Sequence, residues 1–143
     1  MERRDILKDQ IEQFGRALGS IIANFFQLKL KGKTAQGIEI ANEQFKTQLD
    51  LDIDYILESD LETLQVYFQE RKVSVQNIEE LVDYIVALAE SKIDIDPNHS
   101  AAIFERALAL YTMATRISKI YPFSRIQKEQ NIRNLLLKIT ADL

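Results

Sequence analysis

The chain has 143 residues, of which 46% are hydrophobic and 28% are charged, with a formal net charge of −4. This balance is typical of a soluble globular protein, and the length suits one domain over residues 1–143 with a single core. Cysteine is absent, which excludes disulfides, thiolate catalysis and cysteine-bound zinc. Four glycines and two prolines are too few for the many tight turns of an all-β fold. We therefore predict an all-α protein of about six helices arranged as antiparallel hairpins.

The first predicted helix covers residues 4–30 and carries an unusually wide apolar stripe. Its apolar residues recur at spacings of three and four: Ile6 or Leu7, Ile11, Phe14, Leu18, Ile21, Phe25 and Leu28. A helix that is apolar over so wide an arc needs cover on more than one side. Packing within the chain explains the stripe, and association with a second copy is the functional alternative. The candidate self-association face consists of Gly15, Leu18, Gly19, Ile22, Phe25 and Phe26.

The sequence then indicates three helical segments before residue 72. Gly32 ends the first helix, and Thr34 is expected to cap a second one that runs to about Leu49. Residues 49–54 alternate like a strand, but no partner strand is evident, so we predict a turn that leads into a short helix near 55–57. Ser59 and Glu62 then have the spacing of a capping box, which predicts a helix that reaches about Arg71.

The clearest helical pattern lies in residues 77–121, as two helices joined by an Asp-rich turn. Ser74 or Asn77 can cap the first helix, and Asp96 followed by Pro97 suits the start of the second. One face of the second helix is predicted to consist of Ile103, Ala107, Leu110, Ala114, Ile117 and Tyr121. A second capping box at Ser124 predicts a last helix over residues 124–142, which buries Ile132, Leu135, Leu136 and Ile139.

Charge is distributed unevenly along the chain. Residues 1–37 carry a net +3, residues 38–96 a net −11, and residues 97–143 a net +4. Compensation of these charges within the fold is the simpler interpretation. A basic surface for nucleic acid or an anionic membrane is the alternative, although the chain shows no run of adjacent Lys and Arg with interleaved aromatic residues.

Residues that could carry chemistry are sparse. Residues 94–105 have the carboxylate spacing of an EF-hand loop, but the sixth position holds His99 instead of glycine and Pro97 interrupts the loop. His99 is the only histidine, so a Ser-His dyad or a two-histidine metal site within one chain is excluded. The glycine spacing matches no phosphate-binding loop. We predict no catalytic, cofactor-binding or metal-binding residues, and a protein that is not an enzyme.

Residues 104–110, Phe-Glu-Arg-Ala-Leu-Ala-Leu, resemble the second helix of a tetratricopeptide repeat. The repeat's first helix would then fall on residues 79–90, with Tyr84 at its large aromatic position, which implies a repeat-like helix pair over 77–121. The chain also resembles small bacterial all-helical proteins of unknown function. That resemblance rests on the motifs around residues 4–18 and 59–64, and it implies an all-α fold without established activity.

These observations lead us to predict a non-enzymatic helical module for protein–protein interaction or scaffolding. Its partner is a protein, with a homodimer through the first helix as one form, and no small-molecule substrate is implied. The alternative is a basic-ended binder of nucleic acid or an anionic membrane surface, which we consider the less favoured partners. The first residues show no apolar signal-peptide core, and no stretch is long enough to span a bilayer, so we expect a cytoplasmic protein.

Overall fold

A computed structural model describes the backbone of residues 2–141 and the side chains of residues 6–141. The described chain is all-α and contains no strand, as the sequence predicts. It forms seven helices: α1 (Glu2–Leu30), α2 (Thr34–Leu49), α3 (Ile53–Glu58), α4 (Leu61–Glu70), α5 (Val75–Lys92), α6 (Pro97–Ser118) and α7 (Phe123–Ala141). The chain divides into two compact units, residues 1–80 and 81–143, and the boundary falls within α5.

In the first unit, α1 and α2 form a tightly connected helical hairpin. Gly32 adopts φ 75°, and the Lys33 N–H donates to the Leu28 carbonyl oxygen at 2.9 Å, which closes the end of α1 as predicted. The two helices pack through buried residues of both stripes: Leu18, Ile21, Ile22 and Phe25 from α1, and Ala41, Phe45 and Leu49 from α2. Packing within the chain therefore accounts for the second half of the α1 stripe.

Gly37 allows α2 to approach α1 closely near the turn. A Cβ atom at this position would lie 3.2 Å from Phe25 Cδ1 and 3.3 Å from Leu28 Cβ. By contrast, no described atom lies within 4 Å of the corresponding position at Gly19. The glycine that permits this close helix packing is thus in α2.

The acidic turn after α2 is held by α4. Asp50 ends α2 in the left-handed conformation, and its carbonyl oxygen accepts from Arg71 Nε at 2.7 Å. The Tyr67 hydroxyl accepts from the Asp52 N–H at 2.8 Å, and the Arg71 guanidinium stacks 3.7 Å from the Tyr67 ring centroid. Asp52 caps the short α3 by accepting from the Tyr55 N–H. The alternating residues 49–54 therefore form a turn, which side chains of α4 hold in place, and the start of α3. They do not form a strand.

Three predicted helix caps are wrong, and in each case a neighbouring residue takes the position. Asp60 caps α4, accepting from the Thr63 N–H at 2.9 Å, whereas Ser59 ends α3. These hydrogen bonds favour the charged carboxylate and lower the pKa of Asp60. Lys33 occupies the N-cap of α2 without a side-chain bond, so Thr34 is already helical. The last helix begins at Phe123, before Ser124, and the Pro122 carbonyl oxygen accepts its first N–H bonds.

In the second unit, the part of α5 after residue 80 is buried on nearly all sides. Its buried residues are Leu81, Val82, Tyr84, Ile85, Ala87, Leu88 and Ala89. A helix that is apolar around its circumference belongs in a core, and the burial raises the pKa of the Tyr84 hydroxyl. The buried Ser100 Oγ donates to the Ala89 carbonyl oxygen at 2.6 Å and ties the start of α6 to the end of α5.

Helix α6 ends earlier than the sequence pattern predicts. Lys119 adopts the left-handed conformation with φ 59°, and its N–H donates to the Thr115 carbonyl oxygen at 2.8 Å. The predicted face of α6 is buried as far as Ala114, but Ile117 is exposed and Tyr121 lies outside the helix. The prediction that Tyr121 shares this helical face is wrong, because the chain leaves the helical path at Lys119. Ile117 is still within α6 but is exposed.

Two glycine substitutions should have opposite effects on stability. We expect Gly37→Val to destabilise the protein by about 1–3 kcal/mol, because the side chain would overpack against Phe25 and Leu28. Gly19→Ala should stabilise it by about 0.5–1 kcal/mol, because the site is open and alanine favours a helix interior. Urea unfolding followed by circular dichroism measures both. Equal shifts of the two variants would contradict the packing described at Gly37.

Candidate functional site

The structure places the six residues of the predicted self-association face in two different environments. Leu18, Ile22 and Phe25 are buried inside the protein. Gly15, Gly19 and Phe26 are partly exposed. A Cβ atom on Gly15 would lie 3.4 Å from Asn77 Nδ2. Half of the predicted face is therefore unavailable to a second copy while the chain stays folded.

The exposed part of the α1 stripe lies nearer its N-terminus. Leu7 and Ile11 are each 41% exposed, and Ile6 is 56% exposed. Phe14 is partly covered. Gln10 lies on the same stretch, and its Oε1 accepts from Lys72 Nζ at 3.4 Å. We call residues 6–14 the free half of α1.

A second apolar surface lies in the other unit, where α6 is connected to α7. Phe123 is 71% exposed, Ile120 64% and Tyr121 50%. With two further exposed isoleucines they form what we call the apolar corner: Ile117, Ile120, Tyr121, Phe123 and Ile126. The two rings alone leave on the order of 200 Å² in contact with water. Together with the isoleucines the patch reaches the few hundred Å² that mark an interaction site on a monomer.

A buried arginine fixes the backbone of this corner. Arg125 is only 4% exposed, and its Nη1 donates to Thr115 Oγ1 and to the Ile120 carbonyl oxygen, both at 2.8 Å. Ser118 Oγ donates to the Ala114 carbonyl oxygen at 2.8 Å and accepts from the Ile120 N–H at 3.2 Å. These hydrogen bonds fix the backbone of the turn from the interior of the protein, while the apolar side chains of the turn are exposed to solvent.

A buried carboxylate holds the other end of the turn. Glu129 is 4% exposed, and its Oε2 accepts from the Tyr121 hydroxyl at 2.7 Å and from Arg133 Nη1 at 3.4 Å. The hydrogen bond to Glu129 raises the pKa of Tyr121, because the carboxylate accepts from the neutral phenol and repels the phenolate. The Tyr121 ring is thereby fixed with its hydroxyl turned toward α7.

Basic residues flank the apolar corner in the sequence. Residues 106–128 contain five Lys or Arg and no Asp or Glu. Arg116 and Lys119 are exposed, and no ion pair links either to a described residue. Lys128 pairs with Asp83 at 3.1 Å. The corner therefore combines exposed apolar side chains with two cations open to solvent.

Each unit also carries a shallow recess. The first has a volume of about 320 Å³ and an apolar floor, and it is lined by Glu105, Arg133, Leu136, Leu137 and Thr140. The second has a volume of about 210 Å³ and is lined by polar and charged residues of α2 and α3: Glu39, Asn42, Glu43, Lys46, Asp52, Ile53 and Asp54. Among the described residues, no three His, Cys or carboxylate side chains are arranged to hold a metal ion.

The segment with EF-hand spacing is mostly helical. Pro97 opens α6, and Asp96 Oδ1 accepts from the His99 N–H at 3.1 Å as a helix cap. Residues 97–105 therefore cannot wrap around a cation in the way that a calcium loop does. His99 is exposed in the first turn of α6.

Sequence reasoning missed the residues that build the apolar corner. Arg125 and Glu129 do not stand out in the sequence, because charged residues are usually exposed. The usable signal was the absence of acidic residues between positions 106 and 128, together with an apolar cluster on both sides of Pro122. Neither signal shows by itself that the arginine turns inward.

Of the helices that the structure describes, none combines the length and the apolarity needed to cross a bilayer. No known protein family, curated protein or solved structure matches this chain. The surfaces of the chain itself are the basis for a functional proposal.

Replacing Glu129 by glutamine should lower the pKa of Tyr121 toward the ordinary value of about 10. The amide keeps the size of the side chain but removes the negative charge that disfavours the phenolate. Spectrophotometric titration of tyrosinate would detect one phenol that ionises at lower pH in Glu129→Gln. Tyr84, whose pKa is raised by burial, serves as an internal control because it should titrate late in both proteins. An unchanged titration curve would mean that Glu129 does not control Tyr121.

Proposed function

We propose that the protein is a non-enzymatic helical interaction module whose partner is a protein, and that a second copy binds to the free half of α1. The observation that carries this proposal is one apolar stripe that is buried over half of a helix and exposed over the other half. Leu18, Ile21 and Phe25 lie in the core, whereas Leu7 and Ile11 of the same stripe are exposed.

The exposed and buried residues follow one heptad pattern. Leu7, Ile11 and Phe14 continue the alternating spacing of three and four into Leu18 and Ile21. Such spacing places side chains on one face and suits packing against another helix. The free half of α1 therefore presents an apolar helix face of the same kind as the one that α2 covers in the second half of α1.

Helix length explains why this surface is left open. α1 has 29 residues and α2 has 16. At about 1.5 Å per residue, α1 is roughly 43 Å long and α2 roughly 24 Å. The short connection fixes the two helices together at the end of α1, so α2 can reach only about half of its partner. The first three turns of α1 extend past it.

A second copy is a suitable partner because each copy offers the same stripe. Two such segments laid side by side would each cover the other's apolar residues, which is the self-complementary arrangement of a two-fold dimer. This differs from the face predicted from sequence, because the contact would use Leu7 and Ile11 in place of Leu18, Ile22 and Phe25. The exposed part of the α1 stripe is apolar, which suits the binding of another protein.

Charge placed on the stripe should weaken self-association. We expect the wild-type protein to form dimers and the double variant Leu7→Glu, Ile11→Glu to dissociate at least ten times more readily. Two carboxylates would have to be desolvated in the contact. Sedimentation equilibrium over a wide range of protein concentrations measures both dissociation constants.

The matched control is the double variant Ser20→Glu, Gln27→Glu, which adds the same charge to exposed positions of α1 outside residues 6–14. It should dimerise like the wild type. A wild-type protein that remains monomeric at the highest concentration would refute self-association. If the control variant lost dimerisation to the same degree, the effect would come from the added charge and not from its position on the stripe.

A further inference from the structure

We propose that the apolar corner docks the protein on an anionic membrane surface, with the side chains of Ile120 and Phe123 inserted among the lipids. This inference goes beyond self-association through α1, because it uses a different surface in the other unit. It also departs from the expectation that a membrane is a less favoured partner, which rested on the absence of a run of adjacent Lys and Arg with interleaved aromatic residues.

The exposure of the corner favours a soft, apolar environment as its partner. Phe123 and Ile120 are the most exposed apolar residues of the turn and lie on either side of Pro122. They lie at the connection between α6 and α7. Apolar side chains of a peripheral protein enter a bilayer to the boundary between headgroups and acyl chains, and Tyr is enriched at that level.

The internal support of the corner indicates that its exposed conformation is built into the fold. Burying the Arg125 guanidinium costs free energy unless hydrogen bonds compensate. Here the guanidinium is committed to the Thr115 hydroxyl and the Ile120 carbonyl oxygen. Tyr121 is held in turn by the buried Glu129. The exposed apolar side chains are thus presented on a fixed backbone, so little ordering entropy is lost on binding.

Charge complementarity identifies the anionic lipid headgroup as the second component of the site. Arg116 and Lys119 flank the apolar residues, are exposed, and form no ion pair with any described residue. The whole stretch 106–128 lacks acidic residues. Each cation near an anionic leaflet strengthens binding about fivefold, and the attraction extends about one Debye length.

Nucleic acid fits the corner less well than a bilayer does. Binding of single strands depends on aromatic side chains that stack on bases. Three of the five residues of the corner are isoleucines, which enter hydrocarbon readily but offer no ring for stacking. The two exposed cations are also few beside the six to ten phosphate contacts typical of a DNA-binding protein.

The test is sedimentation of the full chain with vesicles of phosphatidylcholine, with and without phosphatidylserine. The wild type should bind the mixed vesicles and bind pure phosphatidylcholine much more weakly. Phe123→Ser should reduce partitioning about tenfold or more, because it removes the largest inserted side chain. Arg116→Gln and Lys119→Gln should each reduce it about fivefold.

Matched controls lie on α7, outside the corner. Leu137 is 68% exposed, and Lys138 is also exposed. Leu137→Ser and Lys138→Gln should each change partitioning by less than about twofold, because neither residue reaches the lipid in the proposed orientation. Losses equal to those of the corner variants would overturn the proposal, as would wild-type binding that is absent or indifferent to phosphatidylserine.

The chain contains no tryptophan, so a single introduced tryptophan reports only on its own surroundings. Its fluorescence can therefore locate the contact with lipid. In Phe123→Trp, the emission should shift to the blue on addition of mixed vesicles and should be quenched by brominated acyl chains. In Leu137→Trp, the emission should neither shift to the blue nor be quenched by brominated acyl chains. If Phe123→Trp shows no shift with vesicles but responds to protein concentration, the corner is a protein contact and the membrane proposal fails. Sedimentation equilibrium of Phe123→Ser separates this result from dimerisation through α1.

Discussion

The difference in length between α1 and α2 determines which apolar residues of the first unit are buried. A three-residue connection fixes the two helices together at one end, so their packing proceeds from Gly32 outward. Gly37 permits the close approach that starts it. α2 ends at the acidic turn, where Tyr67 and Arg71 of the α4 segment donate hydrogen bonds to the Asp50 carbonyl oxygen. The rest of the α1 stripe is left open because α2 has no more residues with which to cover it.

The second unit uses polar groups where the first uses apolar contacts. Arg125 and Glu129 are charged, yet both are almost fully buried. Such groups are tolerated in a protein interior only when hydrogen bonds replace their hydration, and here both act on the turn between α6 and α7. The fold thus fixes the backbone of the turn and exposes its apolar side chains, which is why we assign the corner a role in binding.

Local structure was predictable at several positions where a residue acts on its own neighbours. Gly32 ends α1 and Asp96 caps α6, as their positions in the sequence indicate. Of the two candidates for α5, Ser74 is the cap and accepts from the Asn77 N–H. Prediction was less reliable where two adjacent residues could perform the same task. Ser59 and Asp60 are both good N-caps, and the choice depends on which residue leaves the helical conformation, which is decided by how α3 and α4 are connected.

By itself, the sequence determined that the chain is helical, where most helices lie, and which residues form the apolar stripe of α1. These properties follow from spacing and capping, which act over a few residues. Only the tertiary structure decided that one half of the α1 stripe is covered and the other exposed, and that Tyr121 faces solvent while Arg125 faces inward. Periodicity states that residues share a face of a helix, but whether that face meets protein or water depends on the length and direction of segments distant in the chain.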